Sequence, residues 1–330
     1  MRKNGIVRRL VLEALNEEVS CIGFGCASLG SRVSASDGTR ALVQAFDRGI
    51  TWFDTAPSYG DGHSENILGD FMAGRRNSIQ IATKVGVLPP QQGAFAATVK
   101  PLVRKVASFS PAFRKRLARM RAQPLRASLS GEMVRTSLES SLKRLRTDRV
   151  ELLALHDPSA DDIARDDVLS ALDHALSSGK ARAVGVAGSG NIGFRAKAKF
   201  DRIAVLQFEN SPFCPSIRGY AAAFALYPSL AKVTFGVLGL SGALDMLVQR
   251  LASSLSLTEK FKALGYHGTL DEIASSLLID YALHDNHDGI VLMSMFKPGH
   301  LARNLCRLDI KPDELAFVLL TQPDACTMAT

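Results

Sequence analysis

The chain has 330 residues, of which 46% are hydrophobic and 22% charged, with a mean hydropathy of +0.07 and a formal charge of +8. This composition fits a soluble globular protein, and no apolar run approaches the roughly 20 residues that span a bilayer. Nine cations (Lys100, Arg104, Lys105, Arg114, Lys115, Arg116, Arg119, Arg121 and Arg126) lie between Leu88 and Gly131 without an acid among them, so the remainder is nearly neutral and a whole-molecule nucleic-acid role loses its support.

The amino-terminal MRKNGIVRRLVLEAL is broken by Arg8, Arg9 and Glu13 and lacks a signal peptide's apolar core, so a cytoplasmic location is expected. Residues 6–15 with 19–24 read as either a short hairpin or an irregular cap. Residues 21–25 count as the first strand of a repeating series, running into a loop that ends at Gly30. In 37–48, Ala41, Leu42, Ala45 and Phe46 share one helical face, and Gly49 stops the helix. A strand at 50–53 halts at Asp54. Pro57, Gly60, Asp61 and Gly62 then force a loop that carries Tyr59, before Ser64 caps a helix with Ile67, Leu68, Phe71 and Met72 on its apolar face. The third strand, 79–84, ends on Lys84.

A long insertion follows, about 89–128, with Pro89, Pro90, Pro101, Pro111 and Pro124 and helical stretches expected at 99–107 and 111–121. Loops of this length are usually functional, so the segment is expected to lie over the site as a lid favouring anionic or polyhydroxylated ligands. A solvated helical decoration is the plain alternative. The helix 130–145 then resumes the alternation.

Further strands read at 150–155, 181–187, 203–208, 232–238 and 289–295, and helices at 168–177, 220–226, 243–251, 270–283 and 300–305; only 191–200 looks poorly formed. The strand 150–155 is apolar apart from Glu151 and ends in His156-Asp157-Pro158. Met293 and Met295 read as core, as do most of Phe200, Phe208, Phe213 and Phe235. GVAGSG at 185–190 does not match GxGxxG and reads as a turn. Cys21, Cys26, Cys214, Cys306 and Cys326 are scattered, indicating neither a disulfide framework nor a zinc site. Eight short strands, apolar on both faces and followed by helical segments, predict a single α/β domain over 1–330. Its architecture is a closed (β/α)8 TIM barrel with a long basic insertion after strand 3.

In such a barrel the working groups come from the carboxyl ends of strands, where Asp54, Tyr59, Lys84 and His156 all fall. Singly, Asp54 reads as a turn or cap residue, Tyr59 as a surface aromatic, Lys84 as a solvated charge and His156 as a satisfied structural histidine. Jointly, an ammonium between a carboxylate and a phenol holds the phenol's pKa down and makes it a proton donor, an arrangement suited to carbonyl reduction without a metal. Two other classes stay open. Lys84 as a Schiff-base nucleophile would make an aldolase, although Asp54 and Tyr59 then have no paired task. A weakly catalytic, cofactor-binding barrel that docks a partner through the basic segment is the other.

GFGCASLG (23–30), DRGITWFDTAPSYGDGHSENILG (47–69), IATKVG (81–86), SLKRLRTDRVELLALHDP (141–158) and GKARAVGVAG (179–188) resemble the aldo-keto reductase family in order and spacing. The likeness runs from about Val19 to Leu305, and the LHDP form and length lean toward the aldose and galactose dehydrogenase branch. It implies a small carbonyl or sugar substrate and a nicotinamide cofactor, NADP(H) with NAD(H) as the alternative. It also implies Tyr59 as proton donor, Lys84 paired with Asp54, and a neutral His156 bonded to the substrate oxygen. On the cofactor side it places Gly25 and Cys26 at the mouth, while the residue type itself favours a small buried hydrophobe for Cys26. Gln207 falls at the carboxamide, Phe235 beneath the ring, and Gly236 and Leu238 near the pyrophosphate. Ser294, Lys297, His300, Arg303 and Asn304 fall at the adenosine end. The chain departs from the pattern at Ala187 and Gly188, where serine and asparagine are usual. Ser294 and His300 likewise replace a lysine and an arginine, a role that Lys297 and Arg303 are near enough to fill.

Overall fold

Strands that are apolar on both faces need cover on both, and a parallel barrel supplies it with a packed interior and an outer ring of helices. The computed structural model describes residues 7–89, 126–238 and 242–321. Its strands are β1 (Arg9–Leu12), β2 (Glu17–Ser20), β3 (Ile22–Gly25), β4 (Trp52–Asp54), β5 (Gln80–Val85), β6 (Val150–His156), β7 (Ala181–Ala187), β8 (Ile203–Glu209), β9 (Ala231–Phe235) and β10 (Ile290–Met293). β3 to β10 pair in parallel and close into an eight-stranded barrel in chain order, with β10 returning to β3. The (β/α)8 expectation therefore holds. Of the insertion 89–128, residues 90–125 and both helical stretches expected there lie outside the described residues.

β1 and β2 form an antiparallel hairpin, which decides between the two amino-terminal readings. Leu12, Leu15 and Val19 pack with Trp52, Ala82 and Leu152 from the barrel interior, and Arg182, near the start of β7, donates to the Leu15 carbonyl. The hairpin thus covers the end where the strands begin, opposite the carboxyl rim. Close to that end Glu151 is buried and accepts from the Ile81 amide (2.8 Å) and Arg76 (3.0 Å), which keeps the strand's one acidic residue paired.

Four local readings change. Ser64 is not a cap: it lies inside the helix Ser64–Met72, with His63 at the N-cap, and its hydroxyl bonds to the Cys26 carbonyl (3.1 Å) and the Thr55 hydroxyl (2.9 Å). The left-handed pair Gly60 and Asp61 turns the chain into that helix without a side-chain cap. Residues 191–200, expected to be irregular, belong to the regular helix Gly190–Lys199. Its buried face is Gly190, Gly193 and Ala196, and a β-carbon on Gly193 would stand 2.6 Å from Leu206; small residues that let the helix approach β8 leave no apolar periodicity to read. β9 ends at Phe235 rather than 238 because Gly236, at φ 82°, bends the backbone away. Of the four phenylalanines read mostly as core, Phe213 is the exception, 40% exposed on the loop after β8.

The helices Ala160–Ala164, Leu255–Ala263 and Glu314–Thr321 were not expected; the first is started by a reciprocal Ser159 and Asp162 capping box. Among the described residues no helix is long and apolar enough to cross a membrane.

Candidate active site

Barrel registry gathers the strand-end residues. Asp54 on β4 pairs with Gly25 and Ala82, Lys84 on β5 with Ala154, and His156 on β6 with Ala187, so the three side chains emerge along one rim. Past Asp54 the Thr55 amide donates to the Ala82 carbonyl (2.8 Å) and the Gly60 amide to the Ala27 carbonyl (3.1 Å), which pins both ends of the turn carrying Tyr59. Only glycine serves after Tyr59. Gly60 sits at φ 62°, and a β-carbon there would overlap the Leu29 carbonyl.

Lys84 Nζ donates to Asp54 Oδ1 at 2.6 Å and to the Thr55 carbonyl at 3.0 Å, with the two side chains only 1% and 3% exposed. The same ammonium lies 4.6 Å from the Tyr59 ring centroid, and the Tyr59 ring stands edge-on to His156 at 5.9 Å and 84°. Burial opposes the charge on Lys84, but Asp54 and Tyr59 outweigh it and its pKa is raised. That is the opposite of what a Schiff-base nucleophile requires, so the aldolase reading loses its base.

Tyr59 corrects the sequence reading. Burial raises its pKa by more than the neighbouring Lys84 lowers it, so the phenol ends above its ordinary value rather than below. Lys84 acts in the expected direction, but desolvation is larger. His156 is pushed down to about 3, first by burial and then by Lys84 and Arg126, and is held neutral as expected.

Asp54, Tyr59, Lys84 and His156 line one cavity of about 670 Å³ with Gly25, Gln207, Phe235, Gly236 and Ser294. Four buried polar atoms that have no hydrogen-bond partner among the described residues collect around it, namely Asp54 Oδ2, His156 Nδ1, Gln207 Oε1 and Glu209 Oε1. Native interiors pair such atoms, so this cluster marks a place where a ligand supplies the partners. An amide-bearing planar ring fits it, with the unpaired Gln207 Oε1 as an acceptor and Phe235 as an aromatic wall.

The other cofactor expectations divide. Cys26 does not face the cavity: it is fully buried and its thiol donates to the Phe24 carbonyl (3.6 Å), because the loop turns its side chain into the core. Leu238, Lys297, His300, Arg303 and Asn304 are not part of the cavity wall. Lys297 is the exposed N-cap of the helix Pro298–Arg307, Arg303 donates to Ser275 on the facing helix Leu270–Asp285 (3.1 Å), and Asn304 is buried. Ala187 and Gly188 present no donor to the cavity. A β-carbon on Gly188 would meet Asp157 Oδ1 at 2.6 Å, so Asp157 occupies the space a larger residue needs. The sequence reading missed Ser28, Arg32, Asp157, Ser189, Glu209 and Tyr220, which also line the cavity. Of these only Asp157, beside the strand-end histidine, carried a positional signal.

A parallel eight-stranded barrel with a buried Asp54–Lys84 pair, a tyrosine and a neutral histidine at its carboxyl rim is the class that fold and site define together. Residues 21–317 match the Aldo/keto reductase family, and the chain belongs to it. Among curated relatives, L-galactose dehydrogenase of Arabidopsis thaliana is 30% identical over 177 residues, covering 52% of this chain and 45% of the relative. D-threo-aldose 1-dehydrogenase of a Pseudomonas species is 30% identical over 183 residues, covering 51% and 50%. The chain thus spans about half the length of the curated relatives it matches. Of solved structures, a glycerol dehydrogenase from Gluconobacter oxydans aligns with a TM-score of 0.72 at 20% identity over 98% of both chains. A Klebsiella pneumoniae aldo-keto reductase in complex with NADPH aligns at 0.70 and 20% identity, over 96% of this chain and 97% of the other. The leaning toward the aldose and galactose dehydrogenase branch agrees with these curated relatives.

Proposed function

We propose that the protein interconverts the carbonyl of a small aldehyde, ketone or aldose and the corresponding alcohol, using NADP(H). The observation that carries this reading is the Tyr59 phenol set between the buried Lys84–Asp54 pair and a neutral His156 at the wall of one cavity. The cofactor supplies or takes up the hydride. Tyr59, kept protonated by burial, gives its proton to the carbonyl oxygen and recovers it in the reverse direction. Lys84 stabilises the phenolate left behind, and Asp54 holds the ammonium in place and charged. His156 in its neutral form donates a hydrogen bond to the same oxygen and stabilises the negative charge that builds there without bringing a second cation.

Gln207 and Phe235 would hold the nicotinamide end. NADPH is preferred over NADH because Lys297 and the amino terminus of Pro298–Arg307 favour an anion near the adenosine end, although Ser294 and His300 stand where relatives carry two cations. NADP and NADPH appear in the descriptions of solved Klebsiella pneumoniae relatives, which supports this choice.

The test follows reduced-cofactor absorbance against a panel of aldehydes, ketones and aldoses. Tyr59→Phe is expected to lower turnover by about 10²–10⁴-fold while leaving cofactor affinity, read by fluorescence quenching, within about twofold. Undiminished turnover in that variant would remove the mechanism.

A further inference from the structure

Asp157 lines the reaction cavity but has no part in the proton transfer described above. It follows His156 at the end of β6 and sits at φ 51°, a left-handed conformation that aspartate, asparagine and glycine adopt more readily than other residues. Here the Asp157 amide donates to the Ala187 carbonyl at 2.6 Å, and Gly188 leaves the room in which the carboxylate sits. Oδ2 meets Arg126 at 3.2 Å, while Oδ1 makes no hydrogen bond among the described residues. With Arg126 69% and Asp157 37% exposed, the pair contributes little to stability and does not account for a carboxylate at the cavity wall.

We infer that Asp157 is a specificity-determining residue whose carboxylate accepts hydrogen bonds from hydroxyl groups on the carbons next to the reacting carbonyl, selecting polyhydroxylated aldehydes and sugars over apolar ones. The inference rests on the carbonyl-reducing reading above. Tyr59, His156 and Asp157 line the same cavity, so a substrate whose carbonyl oxygen is held by the first two has its neighbouring carbons in the space that Asp157 also faces. An ionised carboxylate only accepts hydrogen bonds: a hydroxyl replaces the water it loses, and a methylene does not. One such bond to a charged group is worth about ten- to a hundredfold in affinity. Left-handed backbone is open to asparagine and glycine, so Asp157→Asn and Asp157→Gly remove the charge or the side chain without new strain.

Glyceraldehyde and propanal share a carbon skeleton and differ only in hydroxyl groups, so the experiment measures NADPH oxidation with each in wild type and both variants. The wild type is expected to favour glyceraldehyde in kcat/KM. In both variants the glyceraldehyde-to-propanal ratio is expected to fall by about tenfold or more, mainly through KM for glyceraldehyde. A ratio unchanged from wild type, whether both substrates are lost together or neither is, overturns the role of Asp157 while leaving the carbonyl reading standing. A wild type that oxidises NADPH with neither these aldehydes nor any member of the wider panel overturns both.

Discussion

At the scale of single residues, the site works by opposing burial with charge. Lys84 and Asp54 are each too buried to stand alone, and removing one partner of such a pair costs roughly 3–5 kcal/mol because the other is left uncompensated. Lys84→Met is therefore expected to destabilise by about that much, and adding Asp54→Leu to recover most of it without recovering turnover. Urea midpoints of the two single variants and the double variant give the coupling directly, and additive losses would show that the pair is not energetically linked. His156 makes a second prediction with a definite sign. Its folded pKa of about 3 lies below an unfolded value near 6.5, so as pH falls through that window the unfolded chain takes up the proton first and stability is lost. The urea midpoint should fall between pH 7 and about pH 4, and fall less in His156→Gln. Equal falls would mean that His156 protonates freely in the folded state.

At the scale of elements, the loop between β4 and the helix Ser64–Met72 fixes the position of Tyr59, the proposed proton donor. The helix is tied to β5 through Glu65, buried, which accepts from Thr83 at 2.6 Å and Arg144 at 2.7 Å, and Thr83 immediately precedes Lys84. Tyr59 is thus anchored from both sides, by the turn's own amides and by the helix that follows. Gly60→Ala places a β-carbon onto the Leu29 carbonyl at a backbone angle that disfavours side chains, so melting temperature and turnover should drop together. The contrast is Tyr59→Phe, where turnover is lost with the melting temperature nearly unchanged. A Gly60→Ala protein with wild-type stability and rate would show that the turn can rearrange.

At the scale of the whole molecule, the proposed preference for NADPH would depend on an element far in sequence from Tyr59. Lys297 is exposed at the start of the helix Pro298–Arg307, whereas Arg303 is already bonded to Ser275. Lys297→Ala is therefore expected to weaken NADPH binding by about tenfold with little effect on NADH, and Arg303→Ala to do less, since it gives up an existing bond to reach a phosphate. Kd values from fluorescence quenching decide this, and equal NADH and NADPH affinities in wild type would mean that no 2′-phosphate pocket exists.

The sequence alone determined the alternation of strands and helices, the positions of Asp54, Lys84 and His156 at strand ends, and that of Tyr59 on the turn after one of them. Both depend on local chemistry: short runs of apolar residues, glycine and proline stops, and a tight turn five residues beyond a carboxylate. Where local signals were weak the reading failed, as in the helix Gly190–Lys199, whose packing uses glycine and alanine, and in Ser64, whose hydroxyl is claimed by Cys26 and Thr55. Only the closed barrel decided the electrostatics and the membership of the cavity. The pKa of Tyr59 rises or falls according to how much water the surrounding strands remove, and Cys26 faces core or cavity according to a loop held by Asp54 and Ser64. Asp157 meets Gly188 and Arg126 because β6 and β7 pair and residue 126 returns beside β5, contacts that no spacing along the chain contains.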